Sequence, residues 1–255
     1  MTQDLDGRFV GKTAVVTGGA AGIGRATSVA FSREGARVAI VDINETAGRE
    51  TIELIRDAGG RADFFQADVS KSDQVDRAFD QIASNVGPYD VLFNHAGTII
   101  VKPLHESTEA DYDRLMDINV RSAFLVCRRA LPEMTANGGG SIVITASIAS
   151  ELGYALESLY CMTKGAVLQL ARTISVEYRE QGIRCNAVCP GFVKTAHGLR
   201  EIEELDAAGQ KWEAGALAET QGRICEPEEV WMKSGRRRGF WLRRRFLFCH
   251  WCDRT

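Results

Sequence analysis

Tyr160 and Lys164 stand four residues apart in the stretch Tyr160-Cys161-Met162-Thr163-Lys164. On a helix this spacing puts both side chains on one face, about one turn from each other. A free phenol ionises near pH 10 and is a poor base at neutral pH. A fixed ammonium nearby favours the phenolate, so such a pair can act as a general base near physiological pH. The same spacing is common on ordinary helix surfaces. The pair therefore gains meaning only from what the rest of the chain delivers to it.

The chain delivers the parts of a dinucleotide site. Lys12 to Thr17 is a short apolar run rich in β-branched residues and reads as a buried parallel strand. Gly18-Gly19-Ala20-Ala21-Gly22-Ile23-Gly24 follows at once, and helical spacing begins by Arg25. Strand, glycine turn and helix are the setting of a phosphate-cradling loop: missing Cβ atoms let a pyrophosphate approach the backbone, and the helix N-terminus supplies amide donors. Arg37 to Asp42 is the second strand, with Asp42 placed 18 residues beyond Gly24. An acid there can accept hydrogen bonds from the adenosine ribose and would repel a 2′-phosphate, which favours NAD over NADP. The alternative is that Asp42 caps the next helix, a task Asn44 could perform instead.

Further strands are expected over 62–69, 90–94, 141–147 and 183–189, alternating with helices over 45–58, 71–86, 109–134 and 158–180. Asn119 falls inside the long helix of 109–134, where a polar amide is usually a satisfied core group. The alternation predicts an α/β fold: a single-domain, doubly wound Rossmann-type parallel sheet with helices on both faces. Ligands of such sheets bind at the carboxyl ends of the strands. Gly18 to Gly24, Asp42, Asp68, Asn94, Ser147 and Pro190-Gly191 all fall at those ends.

These residues resemble the short-chain dehydrogenase/reductase family. Thr17-Gly18-x-x-x-Gly22-Ile23-Gly24 is similar to its cofactor motif, and Asp68-Val69 to the pair that holds the adenine ring. Asn94-His95-Ala96-Gly97 resembles its Asn-Asn-Ala-Gly segment, with His95 in place of the second Asn and read as structural. Asn119, Ser147, Tyr160 and Lys164 match its catalytic tetrad, with Ser147 and Tyr160 thirteen residues apart. Pro190-Gly191-x-Val193-x-Thr195 resembles the segment that contacts the nicotinamide. Ala155 stands where many members carry proline. The resemblance runs from about Gly11 to Val230 and implies an NAD-dependent oxidoreductase acting on a secondary alcohol or ketone. It implies that Tyr160 takes the hydroxyl proton and that Lys164 also binds the nicotinamide ribose. Ser147 would hydrogen-bond the substrate oxygen, and Asn119 would hold a water that links Lys164 to solvent. Rival readings are an NADPH-dependent ketoreductase on acyl-carrier substrates, which Asp42 opposes, and a silent dinucleotide-binding scaffold, which the intact tetrad opposes.

The substrate is less specified. A loop after Thr195 carrying Leu199, Ile202, Leu205, Trp212 and Leu217 is expected to cover the site. Leu152, Tyr154 and Leu156 are expected on the other side, giving a mostly apolar pocket for a cyclic or medium-sized secondary alcohol. Glu157 reads as a solvent-facing helix start, and His197 as a loop residue.

Composition agrees with this reading. The 255 residues are 45% hydrophobic, enough for one α/β domain. A formal net charge of -3 argues against a dedicated nucleic-acid binder. No run of about 18 apolar residues exists, so no membrane span is expected. The polar, acidic start is unlike a signal peptide, and the odd number of cysteines, seven, reads as reduced thiols of a cytoplasmic protein. No His/Cys cluster suggests a metal.

The catalytic domain is expected over 1–230, followed by an atypical segment over 231–255 with seven arginines and three of the four tryptophans. A basic tail for nucleic acid or anionic membrane is one reading, and Cys249-His250-Trp251-Cys252 as half of a metal site is another. A reading-frame shift near Val230 is favoured over both, because codons read one base forward over 246–255 can spell S-S-F-V-T-G-A-T, close to the final-strand entry of the resembling family. That family forms homo-oligomers through its last strand and helix, so the altered segment puts the oligomer in question.

Overall fold

The computed structural model describes residues 7–210 and 224–230. The readings made for Trp212, Leu217 and the 231–255 segment lie outside the described residues.

Among the described residues six strands form one parallel sheet: β1 (Thr13–Thr17), β2 (Arg37–Asp42), β3 (Arg61–Gln66), β4 (Val91–Asn94), β5 (Gly140–Thr145) and β6 (Ile183–Val188). Their order across the sheet is β3-β2-β1-β4-β5-β6. The order reverses between β1 and β4, where the crevice of a doubly wound sheet opens. Side chains alternate across each strand and both faces are buried. Val15, Ala39, Leu92 and Ile142 face one core with α3 (Ser72–Asn85), α5 (Ser122–Ala136) and α6 (Ser158–Glu177). Val16, Val38, Ile40 and Val143 face the other, closed by Phe31 of α1 (Gly22–Arg33) and by Ile52 and Ile55 of α2 (Glu45–Asp57). Burial on both faces explains why β1 reads as an unbroken apolar run rather than an alternating one.

The expected fold is the observed one, with differences that bear on the site. The third and fifth strands end early, so Asp68, Val69 and Ser147 lie just beyond the sheet rather than in it. The long helix expected over 109–134 is three pieces: α4 (Glu109–Leu115), a π-helical turn over Met116–Arg121, and α5. The segment after Thr195 is not a loop but a helix, α7 (Ala196–Ala207), capped by the Thr195 hydroxyl accepting from the Gly198 N–H at 3.0 Å. Leu205 anchors it, 1% exposed and packed with Phe192.

Candidate active site

A cleft of about 420 Å³ runs along the carboxyl ends of the strands. Its walls include Gly18, Gly22, Ile23, Asp42, Asp68, Val69, Ala96, Gly97, Tyr160, Lys164, Pro190, Gly191, Val193 and Thr195, fourteen residues singled out from the sequence.

The glycine turn is built for close approach. Gly18 and Gly22 have φ of +66° and +53°, a left-handed backbone that other residues adopt at a cost. A Cβ on Gly22 would lie 3.2 Å from Thr195, narrowing the cleft from the floor. Gly24 faces away from the cleft: a Cβ there would sit 2.0 Å from the Gly18 carbonyl, so its role is to let α1 pack under the turn. Asp42 ends β2 with both carboxylate oxygens oriented by main-chain donors, Oδ2 by Ala20 N–H at 3.0 Å and Oδ1 by Asn44 N–H at 2.9 Å. The cap of α2 is Asn44, whose Oδ1 accepts from Ala47 N–H at 3.1 Å. Of the two readings of Asp42, helix capping is therefore taken by its neighbour. These features fit a nicotinamide dinucleotide: bare backbone for the pyrophosphate, a held carboxylate for the ribose, and Asp68 and Val69 beyond it.

Asn94 is expected to touch the dinucleotide, and here the structure corrects the sequence. Asn94 is buried behind the wall, accepting from Thr17 Oγ1 at 3.1 Å and donating to Ala123 O at 3.1 Å. Thr17 Oγ1 in turn accepts from the N–H groups of His95 at 3.0 Å and Ala96 at 3.3 Å. Asn94 thus fixes the turn that presents Ala96 and Gly97. His95 stacks on Phe93 with its Nδ1 3.0 Å from Thr145 Oγ1. Burial pushes its pKa down to about 3, so the ring is neutral, and it lines the cleft beside Gly18 rather than lying behind it.

Gly97 is the meeting point of the chemistry. A Cβ there would lie 3.2 Å from Asn119 Oδ1 and 3.5 Å from Lys164 Nζ. Asn119 sits in the π turn, 2% exposed, accepting from Thr98 N–H at 2.7 Å and donating to Thr98 O at 2.8 Å and Thr163 Oγ1 at 2.9 Å. Both amide hydrogens are spent on the protein, so the relay water expected of this residue has only an Oδ1 lone pair to bind. Lys164 Nζ donates to Thr145 O at 3.0 Å and lies 5.6 Å from the centroid of the Tyr160 ring. Burial lowers the pKa of Lys164 to about 8. Ser147 caps a short turn through Ala149 N–H at 3.2 Å, and its hydroxyl hydrogen-bonds the Tyr160 phenol.

The phenol is not held below its ordinary value here, contrary to the expectation drawn from Lys164. The Tyr160 pKa is raised, first by burial and then by the charge of Glu201, against the opposing hydrogen bond from Ser147. Half-buried Tyr160 is surrounded by acids the sequence did not assign to it. Glu157, expected to face solvent, is 3% exposed. Glu201 and His197 stand one turn apart on α7 and both line the cleft. Glu157 and Glu201 hydrogen-bond each other, and burial lifts both carboxyls well above the usual range. Burial likewise lowers His197 to about 4. A loop over this segment would give His197 and Glu201 no shared face; the helix does, and their four-residue spacing is its signal in the sequence.

Among the described residues no group of three or more His, Cys, Asp or Glu could hold a metal ion, and no helix is long and apolar enough to cross a membrane.

Comparison with known proteins agrees with this geometry. A family model described as short chain dehydrogenase matches residues 12–205. An uncharacterized oxidoreductase of Thermotoga maritima is 40% identical over 187 residues, covering 73% of this chain and 74% of that protein. A sorbitol dehydrogenase of Cereibacter sphaeroides is 37% identical over 230 residues, covering 88% of each. The crystal structure of levodione reductase superposes with a TM-score of 0.87 at 28% identity, covering 95% of this chain and 97% of that one.

Proposed function

The chain belongs to the short-chain dehydrogenase family of oxidoreductases, and we propose that it transfers a hydride between a secondary alcohol or ketone and NAD(H), with Tyr160 as the acid/base. The observation that carries this reading is that Tyr160 and Lys164 line the same cleft as Gly18, Gly22 and Asp42. A sorbitol dehydrogenase among its relatives supports an alcohol as the substrate.

The dinucleotide, when bound, supplies the hydride donor or acceptor and carries the redox chemistry. The chain's residues handle the oxygen and its proton. Ser147, hydrogen-bonded to the phenol, offers a second contact to a substrate oxygen at Tyr160 and stabilises charge developing there. Because the phenol holds its proton, Tyr160 is ready to protonate a carbonyl oxygen in the reductive direction; in the oxidative direction it must first lose that proton. Lys164, fixed on the Thr145 carbonyl, is the cation next to the phenol and the donor for a ribose hydroxyl. Asp42, with two oriented oxygens, favours a free ribose hydroxyl over a phosphate.

Parallel fluorescence titrations of the full chain with NADH and NADPH test the cofactor, followed by turnover of an alcohol and ketone panel with Tyr160→Phe as control. Tighter NADH than NADPH binding, and turnover that the variant loses, are expected. Preference for NADPH would overturn the Asp42 argument in favour of a ketoreductase, and full activity in the variant would remove Tyr160 from its role.

A further inference from the structure

Resting on the dehydrogenase reading, we infer that His95 is a further cofactor-binding residue: its Nε2–H donates a hydrogen bond to a pyrophosphate oxygen of the dinucleotide from the β4 side of the cleft.

His95 follows β4 directly, and β4 lies beside β1, where the strand order reverses. A dinucleotide crosses a doubly wound sheet at that point. The imidazole lines the cleft, and its Cδ2 would lie 3.4 Å from a Cβ placed on Gly18. Nε2 is bonded to Cδ2, so it belongs to the ring edge turned toward the phosphate-cradling turn.

The ring is held from two sides. It stacks on Phe93 with centroids 5.5 Å apart, and its Nδ1 lies 3.0 Å from Thr145 Oγ1. Which of these two atoms donates decides the tautomer. Thr145 is 7% exposed, and Nδ1 is the one hydrogen-bond partner of its hydroxyl among the described residues. Were Nδ1 the donor, the buried hydroxyl proton would have no acceptor, an arrangement native proteins rarely keep. The hydroxyl therefore donates to Nδ1, and the proton of the neutral ring sits on Nε2. No described residue accepts that N–H, and it is not sealed in the interior.

A directed N–H beside a glycine turn suits an anionic oxygen, which accepts a stronger hydrogen bond than a neutral one. The family segment that 94–97 resembles has asparagine at this position. An asparagine side chain ends about where Nδ1 stands, so it could bond Thr145 but could not reach Nε2. The histidine keeps the inner contact and adds an outer donor. It does so without placing a second positive charge near Lys164.

The test is NADH titration of the full chain, with ADP-ribose and adenosine as competitors, in the wild type, His95→Asn and His95→Gln. His95→Asn retains an amide beside Thr145 and loses the outer donor; His95→Gln restores a donor at the depth of Nε2. His95→Asn is expected to weaken NADH and ADP-ribose by about fivefold or more, with adenosine unchanged. His95→Gln should recover most of the loss. Equal NADH affinity in the wild type and His95→Asn would overturn the inference and leave the dehydrogenase reading intact. So would a loss for adenosine as large as that for ADP-ribose, which would mark a packing role. A wild type that binds neither NADH nor NADPH would overturn both. Should the variants fail to fold, histidine nitrogen NMR of the wild type decides, since the chain has four histidines. An Nε2–H imidazole that shifts with ADP-ribose and not with adenosine is expected; the lack of any such signal would overturn the inference.

Discussion

The ammonium of Lys164 donates to the main-chain carbonyl of Thr145 at 3.0 Å, which ties the helix carrying Tyr160 to the end of the strand leading to Ser147. Replacing it with methionine removes both the charge beside the phenol and this tie. Lys164→Met is expected to lower kcat/KM by about a hundredfold or more, the range of a lost acid/base system, and to weaken NADH binding. Steady-state kinetics alongside fluorescence titration separates the two effects. Loss of binding with kcat intact would restrict Lys164 to holding the cofactor.

Tyr160 should impose a proton signature on the rate. Its raised pKa keeps the phenol protonated at neutral pH. Oxidation of an alcohol is therefore expected to speed up as pH rises, and reduction of a ketone to slow, while Tyr160→Phe shows neither trend. Rate profiles in both directions measure this, and a flat oxidative profile would speak against the phenol as base.

Asp42 has two duties, and one substitution reports on both. Asp42→Ser is expected to move the NADH/NADPH affinity ratio toward NADPH by at least about tenfold, from loss of charge against a 2′-phosphate. It should also cost about 1 kcal/mol of stability through the Ala20 and Asn44 amides it leaves under-satisfied. Paired titrations and thermal melts check the two halves separately.

Asn119→Ala strands the Thr98 N–H and carbonyl and the Thr163 hydroxyl in a buried region. Destabilisation of about 1–3 kcal/mol is expected, seen as a Tm lower by several degrees. Activity should fall as well, because Thr163 also donates to the Tyr160 carbonyl at 2.8 Å and so couples the amide to the catalytic helix.

Acid should unfold the protein partly through two histidines. His95 and His197 have pKa values lowered to about 3 and about 4 from an unfolded value of 6.5, so between those limits the unfolded chain binds more protons. Their contribution to stability is complete above pH 6.5 and is lost as pH falls toward the folded values. Glu157 and Glu201, raised in the fold, act in the opposite sense: the native state holds their proton, and their contribution declines as pH rises from the ordinary carboxylate range. Denaturant melts of His95→Asn should show a shallower loss of stability between pH 6.5 and 4 than the wild type.

The sheet and most of the cleft were legible in the sequence because strand, glycine turn and strand-end acids are local patterns with fixed spacing. Gly18, Gly22, Asp42, Tyr160 and Lys164 needed no distant partner to be noticed. What escaped were properties set by residues far apart in the chain. Glu157 reads as a helix start facing water until Glu201, 44 residues on, is brought against it. Asn94 reads as a ligand-facing residue until Thr17 and Ala123 claim its amide. The direction of the Tyr160 pKa likewise depended on burial and on an acid from another helix, neither of which its own Lys164 could reveal.

The π turn over Met116–Arg121 has a consequence for how this region tolerates change. A π turn spans one residue more per hydrogen-bonded loop than an α-helix, and one residue of helix is about 100° of rotation. The turn therefore sets the phase between α4, which buries Leu115, and α5, which buries Ala123, Val126 and Ala130. Deleting a single residue between 116 and 121 would let a continuous α-helix form with both of these faces still turned to the core, because the π turn only absorbs the extra residue, but it would remove the wide turn that holds Asn119 on Thr98. Here the extra residue serves the site rather than the packing: exposed positions of the turn should accept substitution, and a one-residue deletion should leave the fold but lower activity.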